Sequence, residues 1–203
     1  VTFSSGLLAE EPADDQAIYT CVSAWADIDN DGDLDLFLAQ FGQKYPLLGG
    51  LLSRTPMSSR LFMNEGENHH FVDRTDAYGL TDLLHDNVFI GATFGDYDKD
   101  GWQDLFISSF TRGKSVLLKN SSGTSFEKTD LIHVSDPGFM AAFVDVNHDG
   151  QLDLFQGSLG PAQSITENVV FGTNPDRYTN KIFLQEQGQF QKRSDLFEGH
   201  MPI

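Results

Sequence analysis

Carboxylates recur at one fixed spacing in three stretches of this sequence. The first runs Trp25-Ala26-Asp27-Ile28-Asp29-Asn30-Asp31-Gly32-Asp33-Leu34-Asp35-Leu36-Phe37. The second runs Phe94-Gly95-Asp96-Tyr97-Asp98-Lys99-Asp100-Gly101-Trp102-Gln103-Asp104-Leu105-Phe106. The third is Phe143-Val144-Asp145-Val146-Asn147-His148-Asp149-Gly150-Gln151-Leu152-Asp153-Leu154-Phe155. Numbered from the first aspartate, each loop carries an acidic or amide side chain at positions 1, 3, 5 and 9, and glycine at 6. Glycine there permits the φ > 0 reversal that turns the carbonyl of position 7 toward the same centre. The first loop thus offers Asp27, Asp29, Asp31 and Asp35 with the backbone oxygen of Asp33. The second offers Asp96, Asp98, Asp100 and Asp104 with that of Trp102, and the third Asp145, Asn147, Asp149 and Asp153 with that of Gln151. Completed by water, such a set supplies the six to eight hard oxygens that Ca²⁺ takes. Two carboxylates about 4 Å apart repel by about 4 kcal/mol at an effective dielectric of 20. The loops are therefore expected to need a cation to stay converged.

The first half of each loop has the spacing of an EF-hand, and the second half does not. An EF-hand needs a bidentate Glu at position 12 and flanking helices. Position 12 here is Leu38, Ile107 or Gln156, inside β-type runs. Mg²⁺ suits the set less well because it keeps more water and demands a strict octahedron. No His or Cys stands at a ligand position, which disfavours a catalytic transition metal. A turn rich in Asp and Gly with no ion is the plain alternative, and three aligned copies weigh against it. The copies are unequal. Lys99 stands beside the second set, and Asn147 leaves the third with one negative ligand fewer.

These loops need elements to hold them, and the sequence repeats those too. Leu61-Phe62-Met63-Asn64, Leu117-Leu118-Lys119-Asn120 and Ile182-Phe183-Leu184-Gln185 follow the three loops. They lead to Phe71-Val72-Asp73-Arg74-Thr75, Phe126-Glu127-Lys128-Thr129 and Phe190-Gln191-Lys192-Arg193-Ser194. Each repeat reads as four short strands, A to D, separated by Gly-, Asn- and Asp-rich turns; in the first these are Tyr19–Ala26, Leu34–Ala39, Arg60–Asn64 and His70–Thr75. The fold class is all-β. Such units cannot bury both faces alone, and radial stacking of four-stranded antiparallel blades into a β-propeller is the remedy. Ser23, Ala24, Ala92 and Ala141 fit innermost strands crowded near an axis, and the repeated Leu-Phe supplies packing between blades. The blades are placed at residues 19–76, 87–130 and 137–195, with 1–18 as the end of a preceding blade plus connector and 196–203 as a tail. Thr2 and Gly6-Leu7 align with Thr75 and Gly79-Leu80, so a segment of a larger propeller is expected. Length differences collect in the B–C and D–A connections, at one end of the blades, while the A–B loop keeps its length.

Composition limits the partners. Acidic side chains outnumber basic ones 30 to 13, and the formal charge is −17. Such a surface repels phosphate backbones, which argues against nucleic acid. Twelve of those 30 acidic residues lie in the three loops, and three bound Ca²⁺ would bring the charge from −17 to −11. No apolar run approaches the ~20 residues of a membrane-spanning helix. Cys21, the single cysteine, excludes an internal disulfide framework. The histidines, His69, His70, His85, His133, His148 and His200, form no ligand pattern, and no nucleophile elbow, P-loop or dinucleotide fingerprint occurs. Asn120-Ser121-Ser122 is an N-glycosylation acceptor pattern of little weight.

The D-x-[DN]-x-D-G-x-x-D-L loop resembles the calcium loop of FG-GAP/VCBS repeats, the blades of integrin α-subunit propellers. Leu61-Phe62-Met63-Asn64-Glu65-Gly66, Phe71-Val72-Asp73-Arg74-Thr75 and Gly79-Leu80 are similar to the ASPIC/UnbV (cartilage-acidic-protein-like) branch. The resemblance implies a seven- or eight-bladed propeller, calcium in the A–B loops, an extracellular, cell-surface or periplasmic address, and no established reaction. The expected function is a calcium-binding scaffold that meets a protein partner, or the remaining blades, through its B–C and D–A loops. Gln40–Ser59, with Tyr45, Pro46, Leu47, Leu48, Leu51 and Leu52, and Gly157–Asn180 are the candidate contact loops. The alternatives are an accessory subunit of a larger surface or membrane-associated assembly, or an enzyme of a natural-product pathway with an unrecognised site. Because Asn147 carries no charge, the third loop is expected to lose its cation first in a chelator titration; equal or reversed loss refutes that order.

Overall fold

The computed structural model describes residues 17–43, 59–66, 70–85, 89–109, 115–132, 134, 138–158, 180–193 and 196. They form three four-stranded antiparallel sheets, each a meander in chain order. The first holds β1 (Ala17–Ala26), β2 (Asp35–Gln43), β3 (Arg60–Glu65) and β4 (His70–Asp73). The second holds β5 (Phe89–Gly95), β6 (Asp104–Ser109), β7 (Val116–Asn120) and β8 (Phe126–Lys128). The third holds β9 (Met140–Val144), β10 (Asp153–Gly157), β11 (Lys181–Glu186) and β12 (Gln189–Arg193). The segment before Ala17, the apolar stretch Tyr45 to Leu52, most of Gly157–Asn180, and His69, His133 and His200 lie outside the described residues.

In the first sheet β1 begins at Ala17 rather than Tyr19, β2 runs on to Gln43 rather than Ala39 and β3 to Glu65 rather than Asn64, and two further ends differ for local reasons. β2 begins at Asp35 rather than Leu34, because Asp35 is the residue that closes the loop. β4 stops at Asp73, whose Oδ1 accepts bonds from the backbone N–H and the hydroxyl of Thr75 at 3.0 and 2.7 Å. The Thr75 hydroxyl oxygen in turn accepts the N–H of Leu61 at 3.0 Å, which ties the outer strand's exit to β3. A short helix, α1 (Thr81–His85), lies between the first two sheets and was not read from the sequence. Leu80 and Leu84, one helical turn apart, are 1% and 0% exposed and fix it against the core.

Side chains alternate across each strand, so the second sheet feeds two cores, one on each face. Leu105, Ile107, Val116 and Leu118 join Phe37, Ala39, Leu61 and Met63 in the cluster between the first and second sheets. Phe106 and Leu117, on the opposite face, pack with Leu154 and Phe183 in the cluster between the second and third. The connectors wedge into the same interfaces: Tyr78, Leu80 and Leu84 into the first, Ile132 and Val134 into the second. The first strands adjoin, β5 lying against both β1 and β9. Gly91 makes that approach possible, since a Cβ there would lie 2.2 Å from Ser108 Oγ and 2.9 Å from the carbonyl oxygen of Phe139. This is radial blade packing.

The outer faces of the first and third sheets differ from the inner ones. At loop position 2, Ile28 and Tyr97 are 0% and 4% exposed beneath the next sheet, whereas Val146 is 38% exposed. On the opposite side Trp25 is 49% exposed, although the aligned Phe94 packs against the first cluster. Removing Phe106, the largest fully buried side chain of the second cluster, should cost about 3–5 kcal/mol as Phe106→Ala. Urea unfolding at saturating calcium measures this, and a loss below about 1 kcal/mol would mean the second and third sheets do not share a core.

Candidate metal centre

The three A–B loops have one backbone design. The position-1 carboxylate folds the chain round itself: Asp27 Oδ1 accepts the N–H of Asp31 at 3.0 Å and its Oδ2 that of Gly32 at 3.0 Å. Asp96 does the same with Asp100 and Gly101, and Asp145 with Asp149 and Gly150. Position 3 (Asp29, Asp98 or Asn147) accepts the position-5 N–H as well. Position 5 (Asp31, Asp100 or Asp149) accepts the N–H of position 7 at 2.9, 3.0 and 2.8 Å. The glycines at position 6 have φ of 96°, 91° and 81°, the left-handed turn that the sequence required. Position 4 is left-handed too, at Asn30, Lys99 and His148, and glycine at 6 gives no hint of that.

Position 9 closes the loop from inside the protein. Asp35, Asp104 and Asp153 are 1%, 0% and 0% exposed. Each takes a backbone N–H from loop position 2 on one oxygen and another from the third strand on the other. For Asp35 the donors are Ile28 at 2.8 Å and Asn64 at 2.9 Å. For Asp104 they are Tyr97 at 3.1 Å and Asn120 at 2.9 Å, and for Asp153 Val146 at 3.0 Å and Gln185 at 2.8 Å. One carboxylate thereby joins the A–B loop to strand C. The third-strand residue then reaches the neighbouring blade: Asn120 Nδ2 donates to the carbonyl of Ile28 at 2.9 Å, and Gln185 Nε2 to that of Tyr97 at 3.0 Å. A hydrogen-bonded chain so links the three position-9 aspartates across both interfaces.

Three carboxylates converge in each of the first two loops, from Asp27, Asp29 and Asp35 and from Asp96, Asp98 and Asp104, with one oxygen of each within 4.8 Å of the others. These are positions 1, 3 and 9 of the sequence set. Position 5 caps the turn through the position-7 N–H that it accepts. In the third loop Asp145, Asn147 and Asp153 hold the same backbone pattern with an amide at position 3, whose Nδ2 donates to Asp149 Oδ2 at 2.9 Å. All donors in the two triads are carboxylate oxygens and each triad has a buried member, a set that fits a hard divalent cation. Lys119, from β7, already places a positive charge there: its Nζ pairs with Asp98 and lies 3.0 Å from Asp100 Oδ2. Lys99, which sequence adjacency assigned to the second loop, instead points to the third, near Gly150 and Asp149.

Sequence spacing missed what comes from other strands and other blades. Lys119 and the amides of Asn120 and Gln185 lie far along the chain from the loops they touch. Gly123 is another: a Cβ there would lie 2.9 Å from Asp29 Cα and 2.6 Å from the Trp102 ring, so the second sheet's C–D turn sits directly on the first loop. Tyr78 fixes that turn by donating its hydroxyl to the Gly123 carbonyl at 2.8 Å. Asn120 is 0% exposed, its amide is committed to Ile28 and Gln103, and its Oδ1 accepts the N–H of Gly123, so the folded blade does not offer it for glycosylation. His70 and His148 are exposed, and neither belongs to a converging carboxylate group among the described residues.

Burial is the main cause of a raised carboxyl pKa at the loop floor. Asp35 is pushed up from its ordinary 3.8 to about 6, with Asp29 and Asp31 adding repulsion against the backbone N–H groups of Asn64 and Ile28. Asp104 is pushed up to about 7, again by burial first and then by Asp98 and Asp100. Asp29 is raised by burial and by Asp31. Both floor carboxyls therefore hold protons more tightly in the folded, metal-free protein than in the unfolded chain. Their contribution to stability is present near pH 4 and lost as pH rises through about 6 and 7. A cation that favours the ionised form reverses the sign. In chelator the melting temperature should be higher at pH 5 than at pH 7.5, and with saturating calcium lower; the same trend in both refutes the assignment.

The sequence matches a family model described as an FG-GAP-like repeat twice, over residues 27–107 and 96–155. Both matches begin at a position-1 aspartate, and together they cover more than half of the chain. A comparison with curated proteins found no match. The unit that repeats in sequence is the four-stranded sheet with its aspartate loop, and the chain belongs to the FG-GAP-like repeat family.

Proposed function

We propose that this protein is a calcium-binding β-propeller module that works as an extracellular binding and structural scaffold. The observation that carries the reading is the pair of carboxylate triads, Asp27, Asp29 and Asp35, and Asp96, Asp98 and Asp104. In this reading Asp31 and Asp100 and the carbonyls of Asp33 and Trp102 complete the first two shells. Asp145, Asn147, Asp149, Asp153 and the Gln151 carbonyl form a weaker third site. The calcium ion would offset the burial, and after it the mutual repulsion, that raise Asp29, Asp35 and Asp104. Since those carboxylates also fix strand C and, through Asn120 and Gln185, the next blade, the ion would stabilise both blade and stack.

The scaffold role rests on the repeat architecture, and FG-GAP-like repeats are a non-enzymatic module. No helix among the described residues is long and apolar enough to cross a membrane. Protein contact through the B–C and D–A connections is supported by their variable length at the end opposite the calcium loops. The exposed apolar residues Trp25 and Leu34 on one outer face, and Met140, Val144 and Val146 on the other, favour assembly with further blades or another subunit.

Elemental analysis after desalting into calcium-free buffer, with calorimetric titration, tests the reading. Two to three calcium ions per chain are expected. Calcium at 100 times its dissociation constant should stabilise by about 2.7 kcal/mol per site, or about 5–10 °C in melting temperature. No bound calcium and an unchanged melting temperature in chelator would overturn it.

A further inference from the structure

Strand register shows which third-strand residue sits beside each loop. Leu36 pairs with Phe62, Leu105 with Leu118 and Leu154 with Phe183. The next residues, Met63, Lys119 and Leu184, are therefore equivalent, and one of the three is a cation. Met63 is 2% exposed and belongs to the core between the first two sheets. Lys119 extends to the second loop, where it pairs with Asp98 of the carboxylate triad and lies 3.0 Å from Asp100 Oδ2. The contact is at a rim: the side chains of Lys119, Asp98 and Asp100 are 39%, 25% and 32% exposed. An ammonium on a four-carbon stem can leave such a place without unfolding the blade.

We propose that Lys119 is a built-in counter-cation of the second loop, which competes with calcium for Asp98 and makes the first loop the tighter site. The proposal rests on the calcium reading above. A divalent ion entering the triad meets a positive charge already held by one of its three ligands, and Asp98 must exchange the ammonium for the metal. Among the described residues the first loop has no such competitor, its equivalent residue being Met63. In the absence of metal the same lysine offsets the repulsion among Asp98, Asp100 and their neighbours, so the second loop keeps its charges balanced at low calcium. The blades would then differ in calcium dependence by one residue outside the loop motif.

The second loop carries a tryptophan of its own. Trp102 is position 7 of the second loop, and Trp25 precedes the first. The Trp102 ring also lies near Asp29 across Gly123, so in a Trp25→Phe, Asp29→Ala background, which removes a first-loop ligand, terbium emission sensitised by Trp102 reports the second loop. Lys119→Met should tighten terbium binding there by at least ten-fold, with calcium displacing it at correspondingly lower concentration, and should lower the melting temperature in chelator. Lys119→Arg should behave as the parent. Structural damage would weaken binding, so a gain separates competition from misfolding. Affinity unchanged within two-fold, or weakened, in a Lys119→Met protein that melts cooperatively overturns the proposal while leaving calcium binding intact. No calcium-displaceable signal in any variant, together with no calcium in calorimetric titration, overturns the calcium reading and this proposal with it.

Discussion

A buried aspartate that accepts one backbone N–H from its own loop and another from the third strand is the contact on which each blade depends. Asp35, Asp104 and Asp153 lie beneath their loops, each holding loop position 2 with one oxygen and the third strand with the other. A carboxylate in that place has a desolvation cost that neutral residues would not have. The hydrogen bonds lower the cost and the neighbouring carboxylates raise it, so the site is poised to take positive charge. Stabilisation of the meander and affinity for a cation thus arise from the same atoms.

The contact also explains how the blades are joined. The residue whose N–H reaches the aspartate, Asn120 or Gln185, uses its side-chain amide to hold the preceding loop's position-2 carbonyl. That carbonyl belongs to Ile28 or Tyr97, whose own N–H is bound to the preceding aspartate. Loop shape and blade spacing are therefore coupled through short, buried, directional bonds. Apolar packing adds the bulk of the interface: Phe37, Leu61 and Phe89 in the first cluster, Phe106, Leu154 and Phe183 in the second. The amides set the distance at the loop end, and small residues such as Gly91 set it at the first strands.

Charge distribution distinguishes blades that share a backbone. Among the described residues the first loop has Asp33 and no basic contact, the second has Lys119 on Asp98 and Asp100, and the third has Asn147 and the approach of Lys99. The backbone bonds at positions 1, 3, 5 and 9 are nevertheless the same in all three. The loop motif specifies a shape, and residues outside it adjust the field within that shape.

The repeated aspartates, the glycine at position 6 and the alternating apolar runs were enough to specify three four-stranded meanders and to include the six carboxylates that converge in the first two loops. Local hydrogen bonding and period-2 burial are short-range, so they can be read from neighbouring residues. Helix α1 escaped because five residues fixed by Leu80 and Leu84 leave no extended periodicity. The turn-capping bond of position 5 escaped as well, since identical aspartates differ only in which N–H they face. Lys119 at Asp98, Asn120 at Ile28 and Gly123 against Asp29 were decided by tertiary structure alone, because strand register and blade packing bring together residues that sequence spacing keeps far apart.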